Sequence, residues 1–345
     1  MRKQGNENMK KLLLLNKMNK KAIFYLLITS LFITVMILVF LAYKEYGFTD
    51  KQKVVETRIR TVNDFIKSID TDSQRVIYIS GFRSLIALED YVARTGKYLN
   101  NTEELFKHAF FNGTVNGTKV DVLINSSYYD YLGKLRVIAG GMGILVDINV
   151  TDINLYQQSP WSITVNVTAQ INLTDQKGLA RWEFEKIYSA NVSIISIRDP
   201  LYSVATIGRV PNPINISYIT NFVVNEDPSN LMIHVNNSYY YANPLAPSFL
   251  MRFEGNFSPA PDGNGIESFV YIPELENQGV IYNKSRSIID YILFSNNTDI
   301  TTSYSNVTCY VQNITDTYSW FKIDVNHTKA PSPDYIENLN YTACP

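Results

Sequence analysis

Cysteine, histidine and charge are all scarce in this chain. Only two cysteines, Cys309 and Cys344, occur in 345 residues. That excludes a multi-disulfide scaffold and any CxxC zinc or redox motif. The three histidines, His108, His234 and His327, are scattered and lack HxxxH spacing. The GxSxG nucleophile elbow, the phosphate-cradling loop and the GxGxxG dinucleotide turn are also missing. Charged residues make up 18% of the chain and sum to −1, so no basic face for nucleic acid is implied. No catalytic residue, metal ligand, cofactor or nucleic-acid partner is therefore expected, and the chain does not read as an enzyme. Two charge arrangements were weighed against that. Asp324 and His327 could pair a carboxylate with an imidazole, but strand ends often bring such residues together by accident. Glu183 and Glu185 share a strand face with Arg181, which fits a solvated edge with a salt bridge better than a catalytic carboxylate pair. The segment PDGNGIE (261–267) lacks the alternating acids of a calcium loop and reads as a tight turn.

What is present divides the chain at residue 44. Residues 22–43, AIFYLLITSLFITVMILVFLAY, carry no charge. A helix of that length rises about 33 Å, enough to cross a bilayer core. Seven cations precede it (Arg2, Lys3, Lys10, Lys11, Lys17, Lys20 and Lys21) against one acid, Glu7. The positive-inside rule then places the N-terminus in the cytoplasm and everything after the run outside. No small-x-small cleavage site follows, so an uncleaved single-pass anchor is expected.

Glycan-acceptor tripeptides, N-x-S/T, tell the same story independently. They start at Asn100, Asn112, Asn116, Asn125, Asn149, Asn166, Asn172, Asn191, Asn215, Asn236, Asn256, Asn283, Asn296, Asn306, Asn313, Asn326 and Asn340. From the Asn, Ser and Thr content beyond residue 44, chance predicts about five. The four asparagines before that point start none. A threefold, one-sided excess fits an ectodomain that meets a glycosyltransferase. Outside the cell, Cys309 and Cys344 would most simply pair, closing a loop of about 35 residues.

Along the ectodomain, the apolar residues Val55, Ile59, Val62, Ile66, Ile69 and Val76 recur at three- and four-residue steps. This predicts a membrane-proximal amphipathic helix, with Gly47 and Gly81 as places to bend. The stripe fits either a homo-oligomer seam or packing onto the chain's own sheet. Shorter helices are expected over 102–111 and 127–139. Residues 144–156, 161–174 and 179–197 alternate in polarity and read as an antiparallel meander. Further strands are expected at 231–235, 269–272 and 319–325. A Pro-rich turn at 211–213 is a candidate subdomain boundary. The tyrosine-rich stretches SYYDYL (127–132) and YYYANP (239–244) are candidate sugar platforms, although Tyr is also a common strand and core residue.

Several stretches carry a resemblance: MNKKAIFYLLI, DFIKSIDTDSQRVIYISGFRSLIALEDYV, IRDPLY and NPLAPSFLMRFEGNFS. They resemble a family of single-pass surface proteins of archaea, which implies an archaeal envelope protein. The overall plan is also similar to a type IV pilin or pseudopilin, and Lys20-Lys21-Ala22 is similar to a prepilin cleavage site. Pilins place a glutamate fifth in the mature helix, where this chain has Leu27.

The expected architecture is α+β. A cytoplasmic basic tail (1–21) leads into a transmembrane helix (22–43), an amphipathic helix (44–95) and an extracellular antiparallel β-sheet domain (96–345). The expected protein is an anchored, N-glycosylated surface protein with a structural or adhesive role. An anchored carbohydrate- or partner-binding receptor is the alternative, and an extracellular hydrolase ranks below both. The partners implied are lipid, N-linked glycans, and a second copy or other surface proteins.

Overall fold

The computed structural model of the chain describes residues 20–328 and 333–345. The basic stretch before Lys20 lies outside the described residues. The chain divides into two compact units, Met1–Ile66 and Lys67–Pro345. Helix α1 spans Lys20–Thr95 and includes both Gly47 and Gly81.

In the first unit, Ala22–Lys44 is long and apolar enough to cross a membrane, and none of that stretch is buried. Its two threonines bond back along the helix. Thr34 donates to the Ser30 carbonyl at 2.8 Å, and Thr29 does the same to Tyr25 one turn earlier. Such back-bonding removes polar groups from an apolar surrounding. Further along, Val55 and Ile59 are exposed.

The second unit holds the core. Its part of α1 buries Ile69, Ser73, Ile77, Ser80, Ser84, Leu88 and Val92, again in steps of three and four. Three of those seven are serine, which an apolar-only reading misses, and Val76 sits half-exposed to one side. Ser80 spends its hydroxyl on the Ser126 carbonyl at 2.8 Å and Ser84 on Ser80 at 2.7 Å. Small side chains let a sheet approach closely. A Cβ on Gly81 would sit 3.0 Å from Val192 Cγ2, so this glycine is a packing contact rather than a hinge.

Helix α2 (Thr102–Asn112) is capped by Asn101, which accepts from the Glu104 amide at 3.0 Å, and ends on Gly113 in the left-handed region. Helix α3 (Tyr128–Gly141) starts with a capping box between Ser127 and Asp130. Strands β1 (Ile144–Ser159), β2 (Ser162–Asp175) and β3 (Arg181–Ser193) then form the expected antiparallel meander, in that order. On β2, Ile163, Val165, Val167, Ala169, Ile171 and Leu173 are all buried. The alternate residues form the sheet's outer face.

The last third contains more helix and less sheet than its pattern suggests. Asp199 caps α4 (Pro200–Thr206), accepting from the Leu201 amide at 2.8 Å. Residues 231–235, expected as a strand, belong to helix α5 (Ser229–Asn236). A five-residue apolar run does not separate helix from strand, and here Leu231 and Val235, one turn apart, are both buried while Ile233 is exposed. After β4 (Tyr240–Ala242), α6 (Phe249–Phe253) and β5 (Ile266–Ser268), the expected strand at 269–272 reduces to a bridge from Phe269 to Ile289, and Ile272 opens α7 (Ile272–Asn277). Helices α8 (Asp290–Leu293) and α9 (Thr298–Ser303) follow. The expected strand at 319–325 is likewise a single bridge, Val307 to Asp324. Strands β6 (Thr308–Val311) and β7 (Tyr341–Ala343) close the unit as a pair, with the Cys309–Cys344 disulfide beside them. The architecture is α+β, with an apolar N-terminal helix and antiparallel sheets.

Candidate functional site

Two sets of residues concentrate chemistry: the acceptor asparagines on the surface and an ionic network in the core. None of the seventeen acceptor asparagines is buried. Fifteen are exposed; Asn166 and Asn172, on the middle strand β2, are half-buried. The two buried asparagines of the unit, Asn212 and Asn243, both lie outside the motif. Both are used in the core: Asn212 donates to the Tyr240 hydroxyl at 2.9 Å and Asn243 to Glu267 at 2.7 Å.

Strand register gathers four acceptors on one face. Asn172 opposes Asp147, Asn149 opposes Gln170, and Asn191 opposes Thr164. Asn149 is thus the diagonal neighbour of Asn172, and Asn191 of Asn166, at the 7–8 Å or so typical of such pairs. The outer face of the sheet is therefore lined with acceptors rather than merely polar. Other acceptors sit in tight local geometry. Asn283 Oδ1 accepts from both the amide and the hydroxyl of Ser285, at 3.0 and 2.6 Å. That Asx turn leaves its Nδ2 free.

The core network spans β5 and its neighbours. On one side, the fully buried Arg252 reaches Asp199 at 2.6 Å and Asp290 at 2.9 Å, and also donates to the Ile266 carbonyl. Tyr240 donates to Asp199 at 2.8 Å, and the Ser268 amide and hydroxyl donate to Asp290. Burial raises the Asp290 carboxyl, and the Arg252 charge only partly offsets it. On the other side, Glu267 accepts from the Tyr335 hydroxyl at 2.6 Å and faces His327 Nε2 at 3.2 Å. His327 Nδ1 lies 2.8 Å from Asp324. Burial alone would lower this imidazole. The charge of Glu267 and hydrogen bonds to Asp324 and Glu267 outweigh it and push the pKa up to about 10. Both ring nitrogens then donate, and the group is an imidazolium at neutral pH.

The Asp324–His327 pair weighed from sequence therefore forms, but it is sealed. Its side chains are about 1% exposed, so no substrate reaches the imidazole. His234 is also buried and, by burial, held down to about 3. His108 is a surface residue near Glu104. Arg181 and Glu183 form an exposed pair at 3.0 Å on the sheet's outer face, with Glu185 beside them. Among the described residues, no cluster of His, Cys, Asp or Glu is arranged to hold a metal. Of the tyrosine-rich stretches, Tyr128 and Tyr240 are core residues, while Tyr129 is exposed.

The network escaped sequence reading, although its signal was present. Arg252, Glu267 and Asp290 are each a single charge inside a largely apolar run: SFLMRF, GIESFVY and IIDYILF. A lone charge in such a run has to find a buried partner. Open clefts are also present among the described residues. One, of about 590 Å³, lies between α1 and the short hairpin after α2; another, of about 840 Å³, is lined by Tyr98, Ile207, Tyr282 and Arg286 among others. No protein family matches the chain, and neither does any curated protein or any solved structure.

Proposed function

We propose that this chain is a membrane-anchored, N-glycosylated surface protein with a structural or adhesive role. The apolar helix over Ala22–Lys44 holds it in the bilayer, the lysine-rich end faces the cytoplasm, and the unit Lys67–Pro345 faces the exterior. The observation that carries this reading is the distribution of asparagines. Every acceptor is reachable from solvent, and the only two buried asparagines in the unit stand outside the motif. Exposure leaves each acceptor open to a glycosyltransferase, and the threefold excess of the motif beyond residue 44 is what a plain polar surface lacks. The single disulfide fits an oxidising exterior. The sealed network stiffens the unit without offering a reactive group, which favours a load-bearing or adhesive head over a catalytic one.

The alternative, a head that binds carbohydrate or a partner, draws on one feature. Tyr218 is 71% exposed and stands edge-on to Tyr239 at 5.7 Å. The exposed Tyr218 ring, buttressed by Tyr239, offers an apolar face with a hydroxyl at its rim.

Fractionation and intact mass of the native protein test the first reading together. The expected result is membrane association and a mass well above that of the polypeptide, with peptides carrying sugar at several acceptor asparagines. A soluble protein of unmodified mass with reduced thiols refutes it.

A further inference from the structure

The cleft between α1 and the short hairpin has an acceptor asparagine built into its wall. Asn116 and Gly117 form the two-residue turn of a hairpin in which Val115 pairs with Thr118. Both turn residues have positive φ, 49° and 77°, the geometry of a type I′ turn for which Asn-Gly is favoured. The turn leaves the Asn116 side chain against α1, with Nδ2 3.3 Å from the Tyr91 hydroxyl. From there the cleft runs over Ile86 and Val120, with Lys119 and Arg198 also on its walls. Arg198 uses its Nε on the buried Glu89 at 3.2 Å, leaving its two Nη groups for a ligand. An apolar floor, one aromatic ring and a few fixed donors match a pyranose, which has a C–H face and a rim of hydroxyls. The volume, about 590 Å³, is within the usual range for a small ligand.

We propose that the glycan on Asn116 folds back into this cleft, its first sugars lying over Ile86 and Val120 and held by Lys119 and Arg198. The inference rests on the glycosylation reading above and specifies where one glycan goes. Attachment breaks one Nδ2–H bond and the C1–O bond of an activated sugar phosphate and forms Nδ2–C1; the phosphate leaves with its bonding pair and the amide proton passes to solvent. The second Nδ2–H keeps its contact with Tyr91. A tethered sugar has a high effective concentration at its own cleft and outcompetes free saccharide. The glycan thereby bridges α1 and the hairpin.

The test is hydrogen exchange on the full native glycoprotein in detergent, with Thr118→Ala and Thr118→Ser. Both substitutions keep Asn116 and the turn, but only Thr118→Ser keeps the acceptor motif. The expected result is that Thr118→Ala loses one glycan by mass and exchanges about tenfold faster at the amides of 90–95 and 114–123. Thr118→Ser retains both glycan and protection. Ser238→Ala, which removes the Asn236 acceptor, leaves those amides unchanged. Loss of the Asn116 glycan with no change in exchange overturns the inference. So does a bare Asn116 in a protein whose other acceptors carry sugar, and that result leaves the proposed function standing. A protein with no sugar at any asparagine overturns both.

Discussion

The imidazolium at the centre of the core network makes a prediction about alkaline stability. His327 is held between Asp324 and Glu267, and its pKa in the folded protein rises to about 10. In the unfolded chain it titrates near its ordinary value of about 6.5. A raised folded pKa stabilises fully below the unfolded value and is lost as pH climbs through the folded one. Between pH 7 and pH 9 the folded protein should hold one proton that the unfolded chain has released. The expected slope is about 1.4 kcal/mol per pH unit, a loss of about 2.5 kcal/mol across the window. The window lies above the titration of carboxyls and below that of tyrosines and lysines in the unfolded chain. Urea unfolding followed by the fluorescence of Trp161, Trp182 and Trp320, all in the second unit, measures it. Glu267→Gln removes the largest charge that raises the imidazole while keeping its shape, and should flatten the slope. A wild-type protein equally stable at pH 7 and pH 9, or a Glu267→Gln variant with the full slope, refutes the reasoning.

Arg252→Met leaves Asp199 and Asp290 buried without their cation and should cost about 3–5 kcal/mol, read as a shift of the urea midpoint. Gly81→Val drives methyl groups into Val192 and Val165 and should cost about 1–3 kcal/mol, with α1 forced off the sheet; a variant of wild-type stability would show that the contact is slack. Cys309→Ser opens a bridge whose ends are 35 positions apart and should lower stability by about 3–4 kcal/mol on the chain-entropy argument; thermal melts with and without reductant check it, the variant being insensitive to the reductant.

The meander was legible because one side of β2 must be apolar at every second residue, and strict alternation has few other solutions. The helix over 102–111 was legible because Asn101 or Thr102 before Glu103 and Glu104 can cap its first amides, and the structure uses Asn101; the capping box at Ser127 went unread. The buried face of α1 was only half legible. Its serines and Gly81 pack by being small, a property no hydropathy pattern registers. The last third misled where short apolar runs, such as 231–235, admitted either period. The acceptor asparagines could be counted from sequence, but their gathering on one sheet face depended on register. The core network needed three-dimensional proximity: Asp199, Arg252 and Asp290 are far apart in the chain, and nothing local says they meet.

That hub also dictates how the protein can be cut. Contacts that complete its charges come from positions 199, 240, 252, 268 and 290, and the adjoining imidazolium draws on 267, 324 and 335. A fragment beginning at Thr102 would keep all of these and still lose the partner of Ser203, since Glu89 on α1 accepts its hydroxyl at 2.6 Å. It would also strip the sheet of the helix that Gly81 lets in. Any recombinant head meant for binding or crystallisation therefore has to begin no later than Lys67 and run through the final disulfide.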